Sequence, residues 1–470
     1  MTAQTILPAN SVTDTGYDVG NSIQFNGSNS VMQRNAAGTP SSTKIWSISF
    51  WTKRCRLGTT EVVWMHQNAA NHTAKFQLGF HSTDTFRIET YDGTNEYNLS
   101  TDMKFMDTSA WYSILVNVDS TQGTEANRYK IFVNGIQAAV TETGGGYPAQ
   151  NWDLDLGSQK IALGRYQAAS PSAYYDGYVA EVVYADGQTL APTDIGEFDS
   201  ASGIFKPIDV SELTLGNAGF YINFADSSDL GATTGNDFAL TNLAATDQST
   251  DTCTNNFAIL NSNHSIGAQT ELTEGNLEYD PSGHHRIIST IAPTRGKWYA
   301  EVKGIDSPDK FMAGVAHYPM PPNGDASSFA FGQGVNADVG RFTNDFGVKA
   351  NGQYGNDNSY ANYMSQPGNN DIIGIYLDLD NYKIYLSLNG TLGSATGKNL
   401  TNNGEPYGFI SVGEAGTFQW NFGNPSFALA NTAITDDNGY GAFEYSPNIT
   451  GDGVAKKFYS LCTKNLAEFG

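Results

Sequence analysis

The chain is poor in cysteine, in positive charge and in long apolar runs, and each shortage removes a class of protein. Cys55, Cys253 and Cys462 are far apart and odd in number, which excludes a disulfide framework and a cysteine-built metal cluster and predicts free thiols. Lysine and arginine total 25 against 48 aspartate plus glutamate, a formal charge of −23. That field repels phosphate backbones and anionic lipid, so nucleic acid is not an expected partner. No window approaches the run of about 18 apolar residues that a membrane helix needs. The N-terminal Met1-Thr-Ala-Gln-Thr-Ile-Leu-Pro8 has neither the basic region nor the apolar core of a secretory leader. These absences predict assembly in a cytoplasm, without export by that route and without membrane insertion.

What the chain does have is one pattern used twice. Arg128-Tyr-Lys-Ile-Phe-Val-Asn-Gly135 and Tyr382-Lys-Ile-Tyr-Leu-Ser-Leu-Asn-Gly390 each run an alternating strand into Asn-Gly. Alternation lays one row of side chains on a core, and Asn-Gly supplies the positive φ angles of a tight hairpin turn. Two such hairpins in unlike surroundings predict two separate β domains. Short strands are expected at Ser22-Ile-Gln-Phe25, Trp46-Ser-Ile-Ser-Phe-Trp-Thr52, Val62-Val-Trp-Met65, Phe76-Gln-Leu-Gly-Phe80, Phe86-Arg-Ile-Glu89, Trp111 to Val118, Lys160 to Leu163 and Gly177 to Tyr184. A second series runs through Gly296 to Val302, Phe311 to Ala316, Asp371 to Asp378, Lys383 to Leu388, Gly408 to Val412 and Thr417 to Gly423, with a loop-heavy stretch at 318–370. No comparable stretch carries a 3.6-residue apolar period, so the class is all-β: two antiparallel β-sandwiches. One helical turn is expected at Thr193-Asp-Ile-Gly-Glu-Phe198, after Pro192.

The expected layout is an N-terminal arm (1–19), a first sandwich (20–198), a connector (199–265), a second sandwich (266–427) and a C-terminal tail (428–470). Within the connector, the alternation of Phe220, Ile222 and Phe224 needs a surface to bury against, so an added strand is expected there.

In the first half, Ser47-Ile-Ser-Phe-Trp-Thr-Lys-Arg54, Trp111-Tyr-Ser-Ile-Leu-Val-Asn-Val-Asp119, Phe132-Val-Asn-Gly-Ile136 and Asp176-Gly-Tyr-Val-Ala-Glu-Val-Val-Tyr184 occur in the order seen in laminin G-like, concanavalin A-like jelly rolls. The second half resembles a SPRY domain at Gly296-Lys-Trp-Tyr-Ala-Glu-Val302, Asn370-Asp-Ile-Ile-Gly-Ile-Tyr-Leu-Asp-Leu-Asp380, Leu388-Asn-Gly390 and Trp420-Asn-Phe-Gly-Asn-Pro425. The pairing, bridged by Phe205-Lys-Pro-Ile-Asp-Val210 and the Asp247 to Phe257 stretch, resembles virion proteins of tailed phages, particularly those of marine bacteria. That resemblance implies a virion surface protein, as tail fibre, spike or capsid-attached appendage. Its implied partners are other virion proteins, host-surface glycans and further copies of itself, in a homotrimer. The short arm before the first sandwich and the stop at Gly470 weaken the expectation of a long tail fibre and leave room for a short appendage or a capsid-attached protein.

Enzymatic chemistry finds little in the residues. A retaining glycosidase needs two carboxyl groups about 5 to 5.5 Å apart, and alternate positions on one strand supply them; no Glu-x-Asp-x-Glu run exists. The nearest pairs, Asp153/Asp155 and Asp378/Asp380, read as loop and hairpin residues. His66, His72, His81 and the doublet His284-His285 lack metal-ligand spacing, with His66 and His81 expected at strand ends. No Gly-x-Ser-x-Gly turn is present. The expectation is a protein without catalytic residues, cofactor or zinc, and a structural calcium would draw on loops such as Asp92-Gly-Thr-Asn95.

For glycan binding the useful residues are aromatics in loops, whose flat faces meet sugar rings beside hydrogen-bonding neighbours. Two clusters qualify: Tyr147 and Trp152 with Arg165, Tyr166, Tyr174 and Tyr175, and Tyr354, Tyr360 and Tyr363. Trp46, Trp51, Trp111, Trp298 and Trp420 lie in strands and are expected to be core. Packing of the loop aromatics against their own chain or a subunit is the competing account, and it makes the protein a purely structural capsid or tail component.

Overall fold

In Thr85–Tyr91 the residues Phe86, Ile88 and Thr90 are buried while those between are half-buried, so a period of two assigns one face to a core. The computed structural model describes residues 16–35, 39–68, 75–153, 159–166, 172–233, 237–264, 271–282, 285–306, 311–317, 345–357, 359–401, 404–413 and 415–470. They form two compact units, Val12–Asn255 and Asn256–Gly470.

The first unit is a sandwich of two antiparallel sheets. One sheet runs in the order Ile136–Gln137, Tyr129–Val133, Trp111–Asp119, Ile45–Arg54, Asp176–Asp186, Ser22–Asn26 and Gln248–Ser249, with Phe220–Ile222 also paired to Asp176–Asp186. The other runs Val140–Gly144, Glu96–Lys104, Thr85–Tyr91, Lys75–Phe80, Glu61–Asn68, Gln159–Leu163, Val31–Asn35 and Ala239–Thr241. Between them lies an aromatic core: Trp46 meets Phe76 edge-on at 4.6 Å, and Trp64 stacks on Phe220 at 5.9 Å. The Asn-Gly turn forms as expected, with Asn134 at φ 48° and Gly135 at φ 77°.

The segment read as a connector from residue 199 contributes strands to this unit as far as Ser249. Ala239–Thr241 extends one sheet; Phe220–Ile222 and Gln248–Ser249 extend the other. Phe205, in Phe205–Pro207, stacks on Trp51 at 6.1 Å on the sheet face turned away from the core. The helical turn expected at 193–198 is a single 3-10 turn, Pro192–Asp194; Gly196–Phe198 is a strand paired with Phe205–Pro207. Phe198 and Phe205 lie 5.2 Å apart, so pairing of this hairpin outweighs the local helical preference. His66 is likewise not at a strand end: it lies within Glu61–Asn68, buried among Trp46, Trp64 and Tyr184.

The second unit also carries two antiparallel sheets. The larger runs Leu272–Thr273, Glu278–Tyr279, Phe418–Asn421, Lys297–Gly304, Ile372–Asp378, Lys383–Leu388 and Thr391–Leu392. The other runs His285–Ile288, Tyr407–Gly413, Phe311–His317, Asp345–Val348, Gln353–Asn356 and Ser359–Asn362. Three of those strands fall in the stretch read as loop-heavy, and residues 318–344 lie outside the described ones. Phe409 of one sheet meets Trp420 of the other at 6.4 Å. The larger sheet also buries its opposite face, where the row Tyr299, Tyr376 and Tyr385 is covered by Phe443 and Phe458 of the stretch read as a tail. Tyr459–Ser460 pairs in parallel with Lys297–Gly304, and the short helix Thr463–Phe469 follows. The last forty residues are therefore a third layer of this unit.

Candidate functional site

The second sheet of the first sandwich presents a polar face away from the core, and cross-strand register defines it. Gln33, Ala162, Met65, Gln77, Glu89 and Asn98 stand opposite one another in one row. Asn35, Lys160, Gln67, Lys75, Tyr91 and Glu96 form the next. Residues directly opposite on antiparallel strands share a face, and the alternate positions Phe76, Leu78, Ile88, Leu99, Ile161 and Leu163 enter the core.

This face is not a simple solvated surface. Met65, Gln67 and Ala162 are 1% exposed and Gln77 9%. Both amide atoms of Gln67 and the Oε1 of Gln77 are buried without a hydrogen-bond partner among the described residues, and so is Nε of Arg87. Leaving a buried donor or acceptor unmade costs about 1–3 kcal/mol, so a group of such atoms on one face points to something that completes them. Around them stand an ion-pair chain and an aromatic ring. Lys75 Nζ lies 2.6 Å from Glu89 Oε1, Arg87 Nη1 3.8 Å from Glu89 Oε2, and Lys75 Nζ 4.9 Å from the Tyr166 ring centroid.

Tyr166 reaches this face because the chain turns sharply after Gln159–Leu163. Gly164 takes φ 95°, and a Cβ there would lie 2.5 Å from the Phe25 ring, so only glycine fits. Tyr166 then bridges to Ser172, and Arg165 Nη2 donates to Gln33 Oε1 at 3.4 Å while its guanidinium lies 5.9 Å from the Tyr174 ring.

Of the sequence-predicted ligand residues, this segment brings Arg165, Tyr166 and Tyr174 together. Tyr175 is a correction: it is fully buried, its hydroxyl 2.6 Å from Thr52 Oγ1 and donating to the Lys53 carbonyl at 3.0 Å, so it anchors the segment instead of meeting a ligand. Tyr147 and Trp152 pack elsewhere against the edge of the core, Tyr147 lying 6.4 Å from Tyr129 and the Trp152 carbonyl accepting from Ser120. Tyr354, Tyr360 and Tyr363 belong to the second unit. Tyr354 and Tyr360 sit on paired strands, not loops; Tyr354 and Tyr363 lie 5.6 Å apart, Lys398 approaches both rings and Lys349 lies over Tyr360 at 4.2 Å.

The sequence reading missed Gln67, Lys75, Gln77, Arg87 and Glu89. Their signal was the polar alternate of each strand, as in Lys75-Phe-Gln-Leu78 and Phe86-Arg-Ile-Glu89, where only the apolar half was counted.

Three carboxyl groups pushed upward, Glu61, Glu181 and Glu301, lie away from this face and are held by their own chain. Burial and the nearby Asp176 raise Glu61 to about 8; its Oε1 accepts from the Asp176 backbone, and its Oε2 makes no hydrogen bond among the described residues but lies 3.7 Å from the Arg54 Nε cation. Burial raises Glu181 to about 7, against hydrogen bonds from Tyr221 and Tyr17. Burial raises Glu301 to about 7, against the Glu444 and Tyr445 backbone N–H groups, Tyr299 and Asn421. Asp378 accepts from Asn381 and Lys456, Asp380 from Gly296 and Lys297, and Asp155 lies outside the described residues. In the loop considered for calcium, Asp92 accepts from the Thr94 and Asn95 backbones and from the Tyr97 hydroxyl, a closed Asx turn.

Residues 25–195 match the model of the concanavalin A-like lectin/glucanases superfamily. The first unit thus carries a concanavalin A-like, laminin G-type domain, and the polar face belongs to it. No curated protein matches the chain. Similar solved structures include a native heptameric SAP-like pentraxin from Limulus polyphemus, 11% identical over 49% of this chain and 98% of that one, with a TM-score of 0.31. The TRIM65 PSpry domain is 16% identical over 33% of this chain and 86% of its own, TM-score 0.26. The CBM40 domain of Ruminococcus gnavus IT-sialidase, bound to α2,3-sialyllactose, is 17% identical over 34% and 95%, TM-score 0.26.

Proposed function

We propose that the first unit binds carbohydrate on the outer face of its second sheet, without catalysing a reaction. The observation that carries this reading is the set of buried atoms on Gln67, Gln77 and Arg87 that have no partner among the described residues, beside the Lys75–Glu89 pair and the Tyr166 ring. Amides accept and donate at once, as sugar hydroxyls require, and an aromatic face beside them receives the apolar side of a pyranose. A superfamily of lectins and glucanases is consistent with that chemistry. The non-catalytic part rests on the raised carboxyls Glu61, Glu181 and Glu301 lying elsewhere and being bonded to their own chain.

The wider role is attachment or decoration at the surface of a tailed-phage virion, supported by the paired laminin G-like and SPRY-like motifs and the bridge between them. Copies repeated on one particle, as in a trimer, turn a weak single site into firm attachment, a gain of about 10² to 10⁴ by effective concentration alone. Glycan-array binding by the full chain tests the reading. Retention of glycans that is lost in Gln77→Ala supports it, and an array that stays blank sinks it.

A second reading, a structural virion component contacting other virion proteins, draws on Ile136 and Phe198, which are 65% and 50% exposed. Cryo-electron microscopy of the particle separates the two. Density that leaves the polar face open to solvent supports binding, and density that covers it supports assembly.

A further inference from the structure

We infer that the ligand of the outer face is an acidic saccharide, carrying carboxylate or sulfate groups; this rests on the carbohydrate reading above. The whole chain has 48 acidic side chains against 25 basic ones, yet this face reverses the ratio. Lys75, Arg87, Lys160 and Arg165 stand on it against Glu89 and Glu96, and Glu96 is an exposed residue at the far edge of its row. At physiological ionic strength charges act over about 8 Å, so the local patch, not the net −23, decides which ligand is drawn in.

Arg87 carries the argument. Its Nη1 is 3.8 Å from Glu89, beyond hydrogen-bond reach, and its Nη2 donates to Thr143 Oγ1 at 3.3 Å and, in the orientation that satisfies the Asn98 amide, to Asn98 Oδ1 at 3.2 Å. Its Nε is buried with no acceptor among the described residues. With Nη2 taken, the N–H groups of Nε and Nη1 are single charge-assisted donors, which a carboxylate or sulfate oxygen accepts more strongly than a sugar hydroxyl does. Glu89 already takes Lys75 at 2.6 Å, so its oxygens are shared between two cations. A neutral sugar satisfies the Gln67 and Gln77 amides but supplies no anionic acceptor to the Arg87 guanidinium. An anionic substituent supplies it, and it lies within the same field as Lys75 and Arg165.

The test measures affinity of the full chain for polygalacturonate, dextran sulfate and neutral dextran by isothermal titration at rising salt. The expected result is binding of an anionic polymer in preference to neutral dextran, weakening with salt. Arg87→Gln should lose about tenfold or more in affinity, the scale of one charge-assisted hydrogen bond. Arg165→Gln, on the returning segment, should lose affinity in the same direction and serves if the first variant folds poorly. Binding of polygalacturonate alone identifies a carboxylate ligand, and of dextran sulfate alone a sulfated one. Retention of neutral glycans only, on the array described above, overturns the acidic assignment and leaves the carbohydrate reading standing. If no glycan of either kind is held, both fall. Anionic binding unchanged in both arginine variants overturns this face as the site.

Discussion

Lys53 Nζ lies 2.7 Å from Asp251 Oδ2, with both side chains fully buried and 198 residues apart in sequence. Trp111 Nε1 donates to the other carboxylate oxygen at 3.0 Å, and Ser22 donates to the Asp251 carbonyl at 2.6 Å. The pair fastens the end of the 199–255 segment to the sheet it extends. Removing one member of a buried pair strands the other charge, at a cost of about 3–5 kcal/mol. Asp251→Ala should therefore destabilise the first unit by that order in urea unfolding. Lys53→Met with Asp251→Leu should recover most of the loss, since an apolar pair of similar size has no charge left to desolvate. A double variant as weak as the single one would refute this account.

Stability should fall as pH rises from acid to neutral. Glu61, Glu181 and Glu301 have folded values of about 8, 7 and 7 against an ordinary value near 4.5. The folded chain thus holds protons that the unfolded chain releases, so the stabilisation is complete below about pH 4.5 and is lost as pH rises through 7 to 8. His66 works in the opposite sense: burial, with Arg34 nearby, lowers it to about 3, so its contribution is present above 6.5 and lost as pH falls toward 3. Three groups outweigh one between pH 5 and 8, and thermal unfolding should show a maximum near pH 5. Glu301→Gln should flatten the neutral limb by an amount on the order of 3 kcal/mol, the rise from 4.5 to about 7 at about 1.4 kcal/mol per pH unit. A melting temperature that climbs from pH 5 to pH 8 would contradict the assignment.

The C-terminal stretch should be indispensable to the second unit. Phe458 lies 5.3 Å from Tyr376 and 6.3 Å from Tyr385, and Phe443 lies 4.9 Å from Tyr299. Phe458→Ala removes a ring from a closed aromatic layer and should cost about 3–5 kcal/mol. A chain ending at residue 427 also leaves Glu301 without the Glu444 and Tyr445 donors, and it should lose the second unit's cooperative unfolding transition.

The sandwiches were legible because their long strands advertise themselves: Trp111–Asp119 and Ile372–Asp378 are continuous runs flanked by turns, and both Asn-Gly pairs form the turns expected of them. The segments that close the units were not, because Gln248–Ser249 and Tyr459–Ser460 are two-residue strands fixed by partners far away in sequence. A period of two cannot be read from two residues. The face proposed to bind carbohydrate escaped for a related reason. Gln67 is buried with no partner among the described residues, and its surroundings come from far off in sequence: Lys160 and Lys75 stand beside it across the sheet, and Tyr166 returns to Lys75. Composition favoured loop tyrosines; register selected strand glutamines.

Two tyrosines of the returning segment provide the sharpest separation of packing from binding. Tyr175 is fully buried and hydrogen-bonded to Thr52 and to the Lys53 carbonyl, whereas Tyr166 is half-buried with Lys75 over its ring. Tyr175→Phe removes one buried hydroxyl and leaves Thr52 without that partner, so it should lower stability by about 1–3 kcal/mol. It should leave glycan affinity unchanged when measured well below the unfolding transition. Tyr166→Ala should do the reverse, because its ring contacts Lys75 at the rim and the segment stays anchored through Tyr175 and Gly164. Stability should change by less than about 1 kcal/mol, as for a half-buried surface residue, while glycan affinity falls. If Tyr175→Phe alters affinity and Tyr166→Ala does not, the outer face of the sheet is not the site.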